Sequence, residues 1–333
     1  MAGDLSTKAV RTAVVANGVI TLAKGAGFLA TASPSLLAEA IHSLADTTNQ
    51  VLLMVGIHAG RRGPSRRHPW GHGQARYFWN LVSAMGIFFI GCGVTVWHGV
   101  EALLHPPAVH REGGATGIGL GVLALAFVLE GWSWYVALQA LRKQAPGRSL
   151  AQALREARDP TTIGVLLEDS LAVAGVVLAF AGFMLSRATG SHVPDALASV
   201  LIGLLLGVMA LWLARINGSF LIGQAVPAAE EGEISAYVAA MPEVEAVHAI
   251  RTTVLAPDQV MLDLEVELHG GLLADRQALV DDAREIQRGA DPLPLLVAAA
   301  ERSVRSVGRR IDGIEDRIRE RFPRIVAISL EVH

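Results

Sequence analysis

Apolar residues form long, nearly unbroken runs through the first two thirds of the chain and short alternating ones through the last third. The long runs have roughly 20 to 25 residues, the length a helix needs to cross about 30 Å of hydrocarbon. They predict transmembrane helices over 13–30, 35–58, 78–103, 118–141, 162–185 and 195–215, a membrane all-α six-helix bundle. From about Val226 the runs shorten, and Glu230, Glu231 and Glu233 follow closely. The pattern therefore divides into a transmembrane domain over 1–225 and a cytoplasmic α+β domain over 226–333.

Within that second part, Val260, Leu262, Leu264, Val266 and Leu268 alternate with Asp263, Glu265 and Glu267, the period of a half-buried strand. Val326, Ile328, Leu330 and Val332 repeat the alternation and are expected to share one buried face. Val304, Val307, Ile311, Ile314 and Ile318 recur at three and four, marking an amphipathic helix. A short helix over 234–240 and a strand over 248–254 complete the order α-β-β-α-β, compatible with a ferredoxin-like unit. The stretch 272–300 reads as an additional, partly helical segment with no assigned place.

Composition and charge sharpen this picture. A mean hydropathy of +0.42 over 333 residues is too apolar for two soluble domains. Lys8 and Arg11 precede the first run, Arg61, Arg62, Arg66, Arg67 and Arg76 join the second to the third, and Arg142, Lys143, Arg148, Arg155 and Arg158 join the fourth to the fifth. The opposite loops carry Arg111 and Arg187, so the retention of Lys and Arg on the inner side places both termini in the cytoplasm. Residues 1–12 are polar and lack a small-residue cleavage site, which predicts that the first apolar segment is kept. Richness in Ala, Gly and Arg without a targeting segment points to a bacterial plasma membrane and not an organelle. The net charge of −3 with no basic stripe argues against a nucleic-acid partner. Cys92 is the one cysteine, so neither a disulfide framework nor a thiolate zinc finger can form, and any bound metal must use imidazole and carboxylate.

Ionisable residues inside membrane helices cost a few kcal/mol on insertion scales, so each suggests a partner or a function. In SLLAEAIHSLADTTNQ, His42 and Asp46 stand four apart on one helical face, where an imidazole nitrogen and a carboxylate oxygen can reach one ion. VLLEDSLAVAG places Glu168 and Asp169 side by side in an otherwise apolar run, where two unpaired anions call for a cation. One imidazole with two or three carboxylates suits zinc and tolerates manganese, iron or cobalt. The plainer alternative is a packing histidine at His42, with Asp46 or Glu168 paired to Lys24. Lys24 is expected to neutralise an acid within the bundle, and Glu39 and Glu130 to assist proton movement or to hydrogen-bond locally. Gly203 and Gly207 form a G-x-x-x-G that lets helices approach closely, and Asp195 is expected to cap the sixth helix at its outer end.

These residues lie in a frame that resembles the cation diffusion facilitator family of zinc transporters, over nearly the whole chain. The resemblance rests on the second-helix motif above, HPWGHGQARYFWNLVSA entering the third, DALASVLIGLLLG in the sixth, and the α+β tail. EGWSWYVALQALR, LLEDSLAVAG and MGIFFIGCGVTVWHGVEALLHP resemble the branch that includes the mitochondrial zinc exporter. The resemblance implies a transport site with two ligands four apart on helix 2 and two four apart on helix 5. His42, Asp46 and Asp169 match three of these positions; Val165 stands at the fourth, so either Glu168 substitutes or water completes the site. His68 and His72 match an interfacial metal site of some members, though Ser65 replaces its acid and Arg66 and Arg67 equally suit a loop meeting lipid head groups. In the tail His248 matches a regulatory ligand, while Asp263, Leu330 and Val332 stand where others are expected, and His269 and His333 read as solvated surface groups.

The resemblance also implies a homodimer joined through the cytoplasmic domains. No Walker A signature is present, so the expected activity is export of a divalent metal, zinc first, in exchange for protons at the same ligands. No cofactor is expected, the metal being cargo. A manganese or iron exporter of the same mechanism and a membrane-anchored metal sensor stay open as alternatives. An enzyme is disfavoured, because no paired-His motif such as H-E-x-x-H occurs.

Overall fold

The structure, a computed structural model, describes residues 2–105, 114–144, 160–273 and 275–333. Arg111, Arg148, Arg155 and Arg158 of the charge alternation lie outside the described residues. The chain forms two compact units, one comprising the stretch up to His58 with Ala75–Gly218, the other comprising Ala59–Gln74 with Ser219–His333.

The first unit is built from long helices: α1 (Ala2–Thr31), α2 (Pro34–Gly60), α3 (Ala75–Leu104), α4 (Gly114–Gln144), α5 (Pro160–Thr189) and α6 (Val193–Ile222). Among the described residues, four stretches are long and apolar enough to cross a membrane: Ala75–Leu104, Thr116–Gln139, Leu166–Thr189 and Val193–Ile222. The second helix is more polar because one stripe of it carries Glu39, His42, Asp46, Thr47 and Asn49. The N-terminal half of the helix is largely buried, while Leu44, Val51 and Val55 face outward. Leu36 and Ala38 of α2 pack with Leu123 and Ala126 of α4, Val176, Ala179 and Phe183 of α5, and Ile202 of α6 in one buried cluster. Large apolar residues such as Phe89, Trp97, Trp132 and Val208 point outward instead, the arrangement of a bundle whose solvent is hydrocarbon.

Close helix approach is built into α6. A Cβ added at Gly203 would lie 2.8 Å from Val96 Cγ2 and 2.9 Å from the Val96 backbone nitrogen of α3, so the backbones meet where a side chain cannot fit. One turn later a Cβ at Gly207 would meet the Cys92 sulfur at 2.8 Å. Here α3 widens from α to π geometry over Ile87–Cys92.

The link between α1 and α2 turns through Ala32 at φ 55°, a left-handed conformation that costs a non-glycine residue about 1 kcal/mol. The Ala32 N–H donates to Phe28 O at 2.7 Å, closing α1. Asp195 does not cap α6 as expected. The helix begins two residues earlier, the backbone N–H of Val193 donates to Ser191 Oγ, and the buried Asp195 carboxylate instead accepts from the hydroxyls of Ser33 (2.7 Å) and Ser35. An acid near a helix start can serve its own backbone or a neighbouring helix, and two serine hydroxyls within reach decide for the neighbour.

The second unit contains α7 (Ala228–Ala239), β1 (Val244–Ala256), β2 (Gln259–Leu268), α8 (Gly270–Leu273), α9 (Arg276–Gln287), α10 (Pro292–Arg321) and β3 (Ile325–Val332). β1 pairs antiparallel with β2, and β2 pairs parallel with β3, so the most apolar strand is central. Val260, Leu262, Leu264 and Val266 of β2 are buried, as the alternation predicts, against Ile234 and Val238 of α7 and Ile314 and Ile318 of α10. The last strand departs from expectation. Ile325 and Ala327 are buried, whereas Val326 and Val332 are exposed, so its inward face has the opposite parity. Likewise the amphipathic stripe of α10 is used only towards its C-terminal end, and Val304 is exposed. The stretch 272–300 supplies α9 and the start of α10; Asp275 and Asp291 cap these helices by accepting from Ala278 N and Leu293 N.

Arg317 of α10 donates to Glu243 before β1 at 2.9 Å and, with Arg310 nearby, holds that carboxyl below the ordinary glutamate range. Because the folded carboxyl gives up its proton at lower pH than the unfolded one, this pair contributes stability above about pH 4.3, and the contribution is lost as pH falls below it. Glu243→Gln is expected to lower the melting temperature of the purified chain at neutral pH and leave the value well below about pH 4 nearly unchanged, which flattens the acid limb. For the bundle, Gly203→Ala is expected to cost about 1 to 3 kcal/mol because it forces α3 from α6. Gly207→Ala, which meets only the movable end of Cys92, should cost less; detergent thermal shift assays give the ranking.

Candidate metal centre

His42, Asp46 and Asn49 recur at four and three along α2, so they project from one face over two turns. His42 is buried, and its Nε2 lies 3.4 Å from Asp46 Oδ2 with no hydrogen-bond partner of its own. Opposite them, consecutive residues of α5 diverge by about 100° around the helix axis, so Glu168 and Asp169 cannot point the same way. Glu168 accepts from Asn49 Nδ2 of α2 at 3.3 Å, and Asp169 accepts from Ser133 Oγ of α4 at 2.9 Å. Asn49 is itself oriented by Ser83 of α3, whose hydroxyl donates to Asn49 Oδ1 at 2.8 Å. Trp134 Nε1 donates to Ser170 Oγ at 2.9 Å and ties α4 to α5 beside the acids.

Asp46 lies within electrostatic reach of both Glu168 and Asp169, so the acids of α2 and α5 face one region. They do not close on a point: among the described residues no three His, Cys, Asp or Glu side chains converge closely enough to hold a metal ion. Each carboxylate has its own donor or imidazole, and rotation of side chains away from these partners is what a four-ligand cage would require. Asn49, Ser83 and Ser133 escaped the sequence reading because neutral polar residues are common in helices. Asn49 had a legible signal, since it extends the spacing of His42 and Asp46 by one turn.

Lys24 pairs with neither Asp46 nor Glu168. Its Nζ lies 2.6 Å from Glu39 Oε2 and 2.6 Å from Glu130 Oε1, joining α1, α2 and α4. In the loop between α2 and α3, the rings of His68 and His72 lie 4.2 Å apart, and the His72 N–H donates to Arg62 O at 3.2 Å. This loop belongs to the second unit, where Gly73 sits so close to Leu255 and Ala256 that an added Cβ would be 2.8 Å from either. In the same unit the exposed rings of His248 and His333 are 5.1 Å apart, each with an acid in range, Glu267 at 3.2 Å and Glu265 at 3.8 Å, while His269 faces Glu245 at 3.3 Å.

Long apolar helices enclosing imidazole, carboxylates and an ion-paired lysine, with a small mixed sheet following them, are the features of an integral membrane protein with a polar interior. The chain belongs to the cation efflux family: residues 10–222 match the cation efflux transmembrane domain, and residues 226–290 match the cation efflux protein cytoplasmic domain. Over 98% of its length it is 32% identical to the mitochondrial proton-coupled zinc antiporter SLC30A9 of Xenopus laevis and 31% identical to that of Homo sapiens. The chain spans 59% and 58% of those two proteins. It is also 30% identical to metal tolerance protein C4 of Arabidopsis thaliana, covering 98% of this chain and 74% of that one.

An outer partner that orients a metal ligand typically contributes 10- to 100-fold in affinity. Asn49→Ala is therefore expected to weaken zinc binding by about that factor, as read by calorimetric titration in detergent, without lowering the melting temperature of the metal-free chain by more than a few degrees.

Proposed function

We propose that the chain exports a divalent transition metal, zinc first, from the cytoplasm in exchange for protons. The observation that carries this reading is the pairing of His42 with Asp46 on α2 opposite Glu168 and Asp169 on α5, inside a bundle of apolar helices. Relatives named as proton-coupled zinc antiporters support both the cargo and the counter-ion. His42, Asp46 and Asp169 act as ligands, with Glu168 as the fourth or with water in its place. The metal enters from the cytoplasm and exchanges water for these groups; once the helices rock to the outer side, protonation of the same groups releases it. His42 is the group best suited to carry that proton.

In this reading all six helices of residues 1–225 cross the membrane, α1 and α2 included, because the polar stripe of α2 is covered by its neighbours. Both termini face the cytoplasm, in a bacterial plasma membrane. Residues 226–333 form a ferredoxin-like domain, which the α-β-β-α-β order and central β2 support, and it pairs two copies of the chain. His68 and His72 are a candidate second metal site, the 4.2 Å separation of their rings supporting it and the surrounding arginines favouring lipid head groups. Oxygen ligands outnumber nitrogen at the main site, an observation that favours manganese or iron as the alternative cargo.

Purified protein in liposomes enclosing a zinc-sensitive dye is expected to move zinc when a pH gradient is imposed, and Asp46→Ala and Asp169→Ala should each lower the rate by more than the roughly 10- to 100-fold that loss of an outer partner of a ligand costs. Flux of manganese or iron but not zinc would reassign the cargo. Metal binding without flux of any of these ions would favour a metal sensor.

A further inference from the structure

Lys24 is fully buried, and its ammonium contacts two carboxylates at 2.6 Å each. Glu39 is also fully buried, and the Glu130 side chain is 12% exposed. One positive and two negative groups leave a net charge of −1 in a setting where an unmatched charge costs a few kcal/mol. The other oxygens are the informative ones. Glu39 Oε1 and Glu130 Oε2 are both buried, and neither has a hydrogen-bond partner. A carboxylate oxygen withdrawn from water without a donor is costly, and the cost falls when it carries a proton, because a neutral group loses far less on burial than a charged one. Space for Glu39 Oε1 is made by Gly175 of α5, where a Cβ would come within 2.5 Å of that oxygen. A side chain is thus absent where the unsatisfied oxygen sits.

We propose that Lys24, Glu39 and Glu130 form a second proton-binding site, separate from the metal ligands, that holds one proton between its two carboxyls in the metal-free chain and releases it when metal occupies the site beside it. This inference rests on the metal-binding reading of His42 and Asp46. With one carboxyl protonated the triad is electrically neutral. Glu39 precedes His42 by three residues on the same face of α2, so a divalent cation at His42 arrives within electrostatic reach of the triad and opposes the proton there. The titratable groups of the surrounding helices within electrostatic reach of the triad are His42 and Asp46 of α2. None of the described side chains among them donates to Glu39 or Glu130. The balance is simple: one proton leaves a carboxyl oxygen for solvent as the metal binds, and one returns as it leaves, in addition to those displaced from the ligands themselves.

Protons released per zinc bound can be counted with an indicator dye in weakly buffered detergent solution. Wild type is expected to release about one proton more than Glu130→Gln, with zinc affinity in the variant still measurable. An equal count in both would overturn the proposal while leaving the metal site intact. If instead wild type binds no zinc, or Asp46→Ala binds it unchanged, the underlying site reading fails. Should Glu130→Gln not fold, infrared spectra of wild type labelled with carbon-13 glutamate give an independent answer. The metal-free chain is expected to show the stretch of a protonated glutamic acid, present also in Glu168→Gln, and zinc should remove it from wild type; its absence from the metal-free chain would overturn the proposal.

Discussion

The match of buried charge governs the transmembrane part of this protein. Hydrocarbon supplies no donors or acceptors, so every ionisable group placed inside the bundle must find its partner within the protein. Lys24 meets Glu39 and Glu130 and thereby ties α1, α2 and α4 together at one level. With the lysine so engaged, the acids around His42 have no ammonium to neutralise them; Asn49 donates to Glu168 and Ser133 to Asp169, while Asp46 has only the nearby imidazole. That surplus of oxygen acceptors over cations makes the region suited to binding a metal ion.

A polar stripe such as that of α2 can be kept in a membrane only if neighbours cover it closely. The apolar cluster contributed by α2, α4, α5 and α6 does this above the acids, and glycine contacts at Gly175 and Gly203 bring the helices near enough. At one end of the bundle Asp195 of α6 binds Ser33 and Ser35 at the start of α2, so two helices separated by more than a hundred residues of sequence are fastened by hydrogen bonds. The cytoplasmic unit is organised by a different force. Its central strand is apolar on one face and acidic on the other, and burial of that face under α7 and α10 sets which helices stack on the sheet.

The long apolar runs determined that the chain is a membrane protein, because length and hydropathy are properties of a segment by itself. The spacing of His42 and Asp46, the neighbouring acids at 168 and 169, and the alternation of β2 were legible for the same reason: they depend on the geometry of one helix or one strand. Family membership followed from motifs in order. What only the tertiary structure decided is which groups meet across helices. The sequence offered Asp46 and Glu168 as partners for Lys24, and packing chose Glu39 and Glu130. It sent Asp195 across to Ser33 and Ser35, reversed the buried parity of β3, and revealed Asn49, Ser83 and Ser133 as the donors that orient the acids. Periodicity reports which residues share a face, but the partner of that face depends on contacts between residues far apart in the chain, and those are settled by the joint packing of all the helices.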